Sequence, residues 1–175
     1  MDYFQLFGLD NKFVVDLANL SNVYQTLQKS VHPDRFAHSS SQDQLVAVQK
    51  SATINEAYQT LKNPLKRAEY MLKLRGTEMP NEQASYGDTG FLMRQMELRE
   101  MLAEIKMSDD VESAIFEYTQ VLETEFEKLF RAMQVLLAED SSESNLAACD
   151  DLRKLKFYQK LHVELDRLEE QLLDD

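Results

Sequence analysis

From Val111 to Leu136, and again from Leu155 to Leu172, apolar residues return every three or four positions, and this period commits the chain to helix. The first stretch puts Val111, Ile115, Tyr118, Leu122, Leu129, Met133 and Leu136 on one stripe; the second does the same with Leu155, Tyr158, Leu161, Leu165, Leu168 and Leu172. Similar spacing recurs near the N-terminus, at Leu17, Leu20, Tyr24, Leu27 and Val31, then at Leu45, Val48, Ala52, Ile54, Tyr58 and Leu61. Only 4 Gly and 3 Pro interrupt the 175 residues, so strands have few candidates and the expected fold class is all-α.

Capping chemistry divides these stripes into elements. Asp2 and Gln5 form a capping box for a short aromatic helix that ends near Gly8. Ser41 with Gln44, and Asp109 with Glu112, offer further boxes, and Asn63-Pro64 reads as a cap followed by proline at the first helical position. Asp88 is placed to cap a helix over about 89–106. The run RGTEMPNEQASYGD has no apolar period. The predicted organisation is therefore a helical domain over 1–75, a linker over 76–88, and a three-helix bundle over 89–175.

Charge follows the same division. Residues 1–76 carry 9 basic and 7 acidic side chains, and residues 77–175 carry 10 and 24, a net of −14 in the second half. Such a surface argues against nucleic acid or an anionic membrane as partner. No apolar run is long enough to span a bilayer, the N-terminus lacks a signal-peptide pattern, and the single Cys149 reads as a small apolar residue on a helix. These features predict a cytoplasmic protein.

Enzyme signatures are sparse. The sequence has no Gly-rich phosphate loop, paired cysteines or His-x-x-x-His spacing, so neither a cofactor nor a metal is expected. His32 and Asp34 would pair as base and orienter in a small hydrolase, yet no nucleophile is identifiable beside them. Two features instead suit binding. His32-Pro33-Asp34 lies between two amphipathic helices, where proline pre-organises a loop whose carboxylate can meet an arginine fork. On the 89–106 helix, Phe91, Leu98, Leu102 and Ile105 share the core sector. Leu92, Met93, Met96 and Ala103 fall opposite, among Glu97, Glu100 and Glu104. An outward apolar patch edged with carboxylates resembles a protein-binding surface. Phe157, at the edge of the last stripe, either borders that surface or completes the core.

The order of the first unit — aromatic helix, longer helix, His32-Pro33-Asp34, then a helix with Ile54-Asn55-Glu56-Ala57-Tyr58 — resembles a J domain. More narrowly, Asp2-Tyr3-Phe4, Leu6-Phe7-Gly8-Leu9, the run SATINEAYQTLKNPLKRAEYML, Phe91-Leu92-Met93, RKLKF and LEEQLLDD resemble the HscB family of J-domain co-chaperones. That resemblance implies an L-shaped pair of domains and a role in iron–sulfur cluster assembly. It implies an HscA-like chaperone of the seventy-kilodalton heat-shock class, met through His32, Pro33 and Asp34 with Lys29 and Arg35 beside them. It also implies an IscU-like scaffold protein, held at Leu92, Met93, Met96, Glu97, Glu100, Glu104 and Phe157. The alternative it leaves is a J-domain adaptor for a different client. Two departures stand out: few basic residues precede the tripeptide, and Val31 occupies a position where many J domains have tyrosine.

Overall fold

The computed structural model describes residues 1–79 and 88–173, and the greater part of the expected linker lies outside them. The chain forms two compact units, residues 1–75 and 76–175. Among the described residues all regular structure is helical.

In the first unit, α1 (Tyr3–Leu6) starts from the expected capping box: Asp2 accepts from the Gln5 backbone N–H, and the Gln5 side chain accepts from the Asp2 N–H. Gly8, at φ +67°, turns the chain after it; this left-handed conformation suits glycine. Asp16 caps α2 (Leu17–Ser30), α3 spans Ser41–Lys62, and Asn63 caps α4 (Pro64–Leu74), accepting from the N–H groups of Leu65 and Lys66. The core gathers Phe4, Phe7, Leu20, Ile54, Leu61, Leu65 and Leu72, and Val31 is buried as a branched residue can be. Tyr3 stacks on Tyr70, and its N–H donates to the Tyr70 hydroxyl at 2.9 Å, tying α1 to α4.

Two expectations about α3 are corrected. Its cap is Ser40, which accepts from the Asp43 N–H, not Ser41; Gln44 turns its amide back to the Phe36 carbonyl at 3.0 Å. The stripe Leu45, Val48, Ala52 does not reach the core: Leu45 and Val48 are 57% and 58% exposed. The buried line runs instead through Ala47, Ile54, Ala57 and Leu61, because small alanines let α3 pack closely against α1, α2 and α4.

In the second unit, α5 (Thr89–Glu104) continues into a 3₁₀ turn at Ile105–Met107 and is followed by α6 (Val111–Glu139) and α7 (Ser142–Leu173). Asp110, not Asp109, caps α6 through the Ser113 N–H. Asp140, at φ 49°, ends α6, and Ser141 and Ser144 exchange hydrogen bonds at the start of α7. The core is Phe91, Leu98 and Ile105 against Ile115, Tyr118, Leu122, Tyr158, Leu161, Leu165 and Leu168. Leu137 is buried where the period pointed to Leu136. The Tyr118 hydroxyl donates to the Leu98 carbonyl at 2.9 Å and is pushed up to about 12 by burial. Cys149 is buried, as a small apolar residue would be.

Candidate functional site

The tripeptide sits where a helix gives way to a tight turn. Val31 closes α2, and His32 is the N-cap of a 3₁₀ turn over Pro33–Phe36, with proline at its first position. His32 Nδ1 accepts from the Asp34 N–H at 3.2 Å, and the Arg35 N–H donates to the His32 carbonyl at 3.0 Å. The imidazole therefore shapes the loop through the backbone of Asp34 and leaves the carboxylate outside that bond. Asp34's side chain is 92% exposed, and its carboxylate lies 3.5 Å from Nδ1, an ion pair only when the ring is protonated. Lys29 and Arg35 flank the loop and are exposed.

The support beneath the loop is polar as well as apolar. Tyr24 stacks on Tyr58 with centroids 4.1 Å apart, and its hydroxyl meets Asn55. Gln28 donates to the Ser51 carbonyl at 3.1 Å and accepts from the Ser51 hydroxyl at 2.7 Å. This clamp joins α2 to α3 one turn before the tripeptide, and Gln44 braces the far side of the loop. Tyr24 and Tyr58 lie on the helical stripes and Gln44 reads as a capping residue, but their pairings are not visible in the sequence: the hairpin brings partners 23 and 31 positions apart together.

In the bundle, α5 turns the expected residues outward. Met93 and Met96 are 58% and 65% exposed, Glu97, Glu100, Ala103 and Glu104 are exposed, and Leu92 is half-buried. Phe157 of α7 does both things the sequence left open. It packs against the core in a T-shaped contact with Phe91 at 5.6 Å, yet remains partly exposed at the border of α5.

Two arginines that sequence reasoning passed over hold this face. The Arg94 guanidinium reaches Glu97 Oε2 at 2.8 Å through Nη1 and Glu125 Oε1 on α6 through Nε, also at 2.8 Å, and through Nη2. Tyr158 of α7 donates its hydroxyl to the other Glu125 oxygen at 2.6 Å. Glu125 first, then Glu97, raise the Arg94 pKa above its ordinary range, and burial with the Glu125 bond raises that of Tyr158. On the opposite flank of α5, Arg99 pairs with Glu164 at 3.1 Å and lies 5.6 Å from the Phe157 ring centre.

The start of α5 is fixed in the same manner. Asp88 accepts from the Phe91 N–H at 3.1 Å and pairs with Lys154 at 3.2 Å, while Arg153 and Lys154 lie over the Phe91 ring. The Phe91 N–H, then Lys154, hold the Asp88 carboxyl below its ordinary value. Its contribution is therefore complete above the unfolded carboxylate value of about 4 and is lost as pH falls through the lower folded value. Asp88→Ala is expected to cost about 1 kcal/mol at neutral pH, and the gap from the parent chain to close in strong acid. Amide exchange in the first two turns of α5, followed against pH, checks both points.

These two sites can be set beside known proteins. The DnaJ domain family model matches residues 2–70, and the model described as the HSCB C-terminal oligomerisation domain matches residues 87–166. Among curated proteins, the co-chaperone protein HscB homolog of Colwellia psychrerythraea is 62% identical over 100% of both chains. That of Shewanella baltica is 46% identical over 99% of this chain and 100% of its own. Among solved structures, the chaperone HscB from Vibrio cholerae is 45% identical with a TM-score of 0.88, covering 98% of this chain and 99% of its own. Human co-chaperone HscB is 30% identical with a TM-score of 0.88, covering 98% and 84%. A helical hairpin displaying His-Pro-Asp, matched as a DnaJ domain, makes this chain a J-domain co-chaperone. The second unit carries the matching C-terminal domain, and the relatives align over the full length. The chain belongs to the HscB co-chaperone family.

Proposed function

We propose that this protein delivers an iron–sulfur cluster scaffold protein to a specialised chaperone of the seventy-kilodalton heat-shock class and stimulates that chaperone's ATPase, acting in the cytoplasm. The observation that carries the reading is the outward face of α5: Met93 and Met96 project to solvent amid Glu97, Glu100 and Glu104, in a unit that already has a complete core. Leu92, Met93 and Met96 supply an adaptable apolar centre, Phe157 an aromatic border, and the glutamates a polar rim for a basic partner.

The J domain acts on the chaperone. Asp34 offers its carboxylate to an arginine of the chaperone, His32 and Pro33 hold the loop in the receptive shape, and Lys29 and Arg35 steer the approach. The chaperone's own site hydrolyses ATP; the co-chaperone biases its conformation and brings the scaffold alongside. Calorimetry of the full-length chain with the purified scaffold protein tests the assignment of cargo. Saturable one-to-one binding is expected. No heat and no co-elution, with the J domain active, would point to an adaptor for another client.

A further inference from the structure

The face just described contains a charge that is already answered from within. Glu97 lies on the same sector of α5 as Met93, Met96, Glu100 and Glu104, so a partner seated there covers it. Yet, among the described residues, Glu97 alone of that trio has a counter-ion: Arg94 Nη1 sits 2.8 Å from its Oε2, while Glu100 and Glu104 make no ion pair. Arg94 is not free to swing away with Glu97 when a partner arrives. Its Nε and Nη2 are held by Glu125, and the second oxygen of Glu125 is taken by the buried Tyr158 hydroxyl. One planar guanidinium thus joins α5 to α6, with α7 tied in through Glu125, and reaches the binding face with its remaining arm, a geometry that a lysine ammonium cannot reproduce.

We infer that Arg94 is a built-in counter-ion for Glu97, so that the partner meets Glu97 as a neutralised acceptor and places its own cations opposite Glu100 and Glu104. The inference rests on the reading of this face as the scaffold-binding surface and sharpens it. It gives the face a polarity along α5: apolar with internally balanced charge toward Leu92, Met93 and Met96, and acidic with open charge toward Glu104. A complementary surface is therefore apolar at one end and basic at the other. Glu97, which the family resemblance implies holds the scaffold, becomes a group whose charge must be cancelled before it can be covered. A carboxylate covered without its cation would lose water and gain nothing in return. Arg94 is a positioning residue in this sense: it acts on the partner through Glu97.

The test is calorimetry of the full-length chain against the purified scaffold protein, with thermal melting of each variant so that only folded protein is compared. Arg94→Met is expected to weaken binding about fivefold by leaving Glu97 charged and unanswered. Adding Glu97→Gln to Arg94→Met removes that orphan charge and is expected to recover about threefold of the loss. Arg94→Lys falls between parent and Arg94→Met. A purely structural Arg94 would give the same loss with or without Glu97→Gln. That result, or a further weakening in the double variant, overturns the inference and assigns Glu97 to a cation of the partner. Met96→Ala, measured in parallel, separates this from failure of the underlying reading: if it leaves affinity unchanged, the face itself is not the binding surface.

Discussion

Asp34→Asn is expected to reduce stimulation of the partner chaperone's ATPase to the basal rate while leaving the fold and scaffold binding intact. The loop geometry explains why so small a change is so selective. Asp34 contributes to the loop through its backbone N–H, which donates to His32 Nδ1, and asparagine keeps that donor. The carboxylate it loses is 92% exposed and meets within the loop only the His32 ring, as an ion pair when that ring is protonated, so stability should move by less than about 0.5 kcal/mol. What disappears is a charged two-oxygen acceptor and, with it, the pairing offered to an arginine fork. His32→Gln reaches the same loss differently, by removing the acceptor that fixes the Asp34 backbone. ATPase titrations with each variant, beside their melting curves, check both. Parental stimulation by Asp34→Asn would contradict the proposed role of the loop.

Leu92→Ala combined with Met96→Ala is expected to give the largest loss on the cargo side. Each truncation at the centre of such a face costs about 1–2 kcal/mol, so the pair weakens scaffold binding by roughly 100-fold if the effects add. The two residues stand four apart on α5 and touch the same region, so departure from additivity is expected to be modest but measurable. Their effects on the fold should differ. Met96 is 65% exposed and its loss should leave melting unchanged. Leu92 is half-buried and should lower stability slightly. ATPase stimulation in the absence of scaffold should remain parental, because the loop lies in the other unit. Calorimetric affinity equal to that of the parent would move the binding surface elsewhere.

Much of this organisation can be read from residues alone, and the failures share physical causes. Helical period revealed every long helix, and Asp2, Asn63 and Asp88 cap their helices as their positions suggest. Where two capping residues stand side by side, in Ser40-Ser41 and Asp109-Asp110, local chemistry does not choose between them: the first caps in one pair and the second in the other. The exposed stripe on α3 has a related origin. Leu45, Val48 and Ala52 obey the helical period, but the period does not identify the buried face when alanines provide close packing on the other. On α5 the larger residues did distinguish the faces, and Met93 and Met96 emerged outward as the helical wheel requires. The Arg94 network shows the limit of such reading. Arginine three residues before Glu97 is visible as a local pair, whereas its grip on Glu125, 31 positions away, exists only once α5 and α6 have packed.

The proposed function couples two contacts in one chain, the loop to the chaperone and the α5 face to the scaffold. Steady-state ATP hydrolysis by the purified chaperone, measured with this protein alone, the scaffold alone and both together, tests it most directly. With both, a rate that exceeds the sum of the separate increments is expected, and loss of that excess with either Asp34→Asn or the Leu92→Ala, Met96→Ala pair. A combined rate equal to the sum of the separate increments, in parent and variants alike, would contradict it.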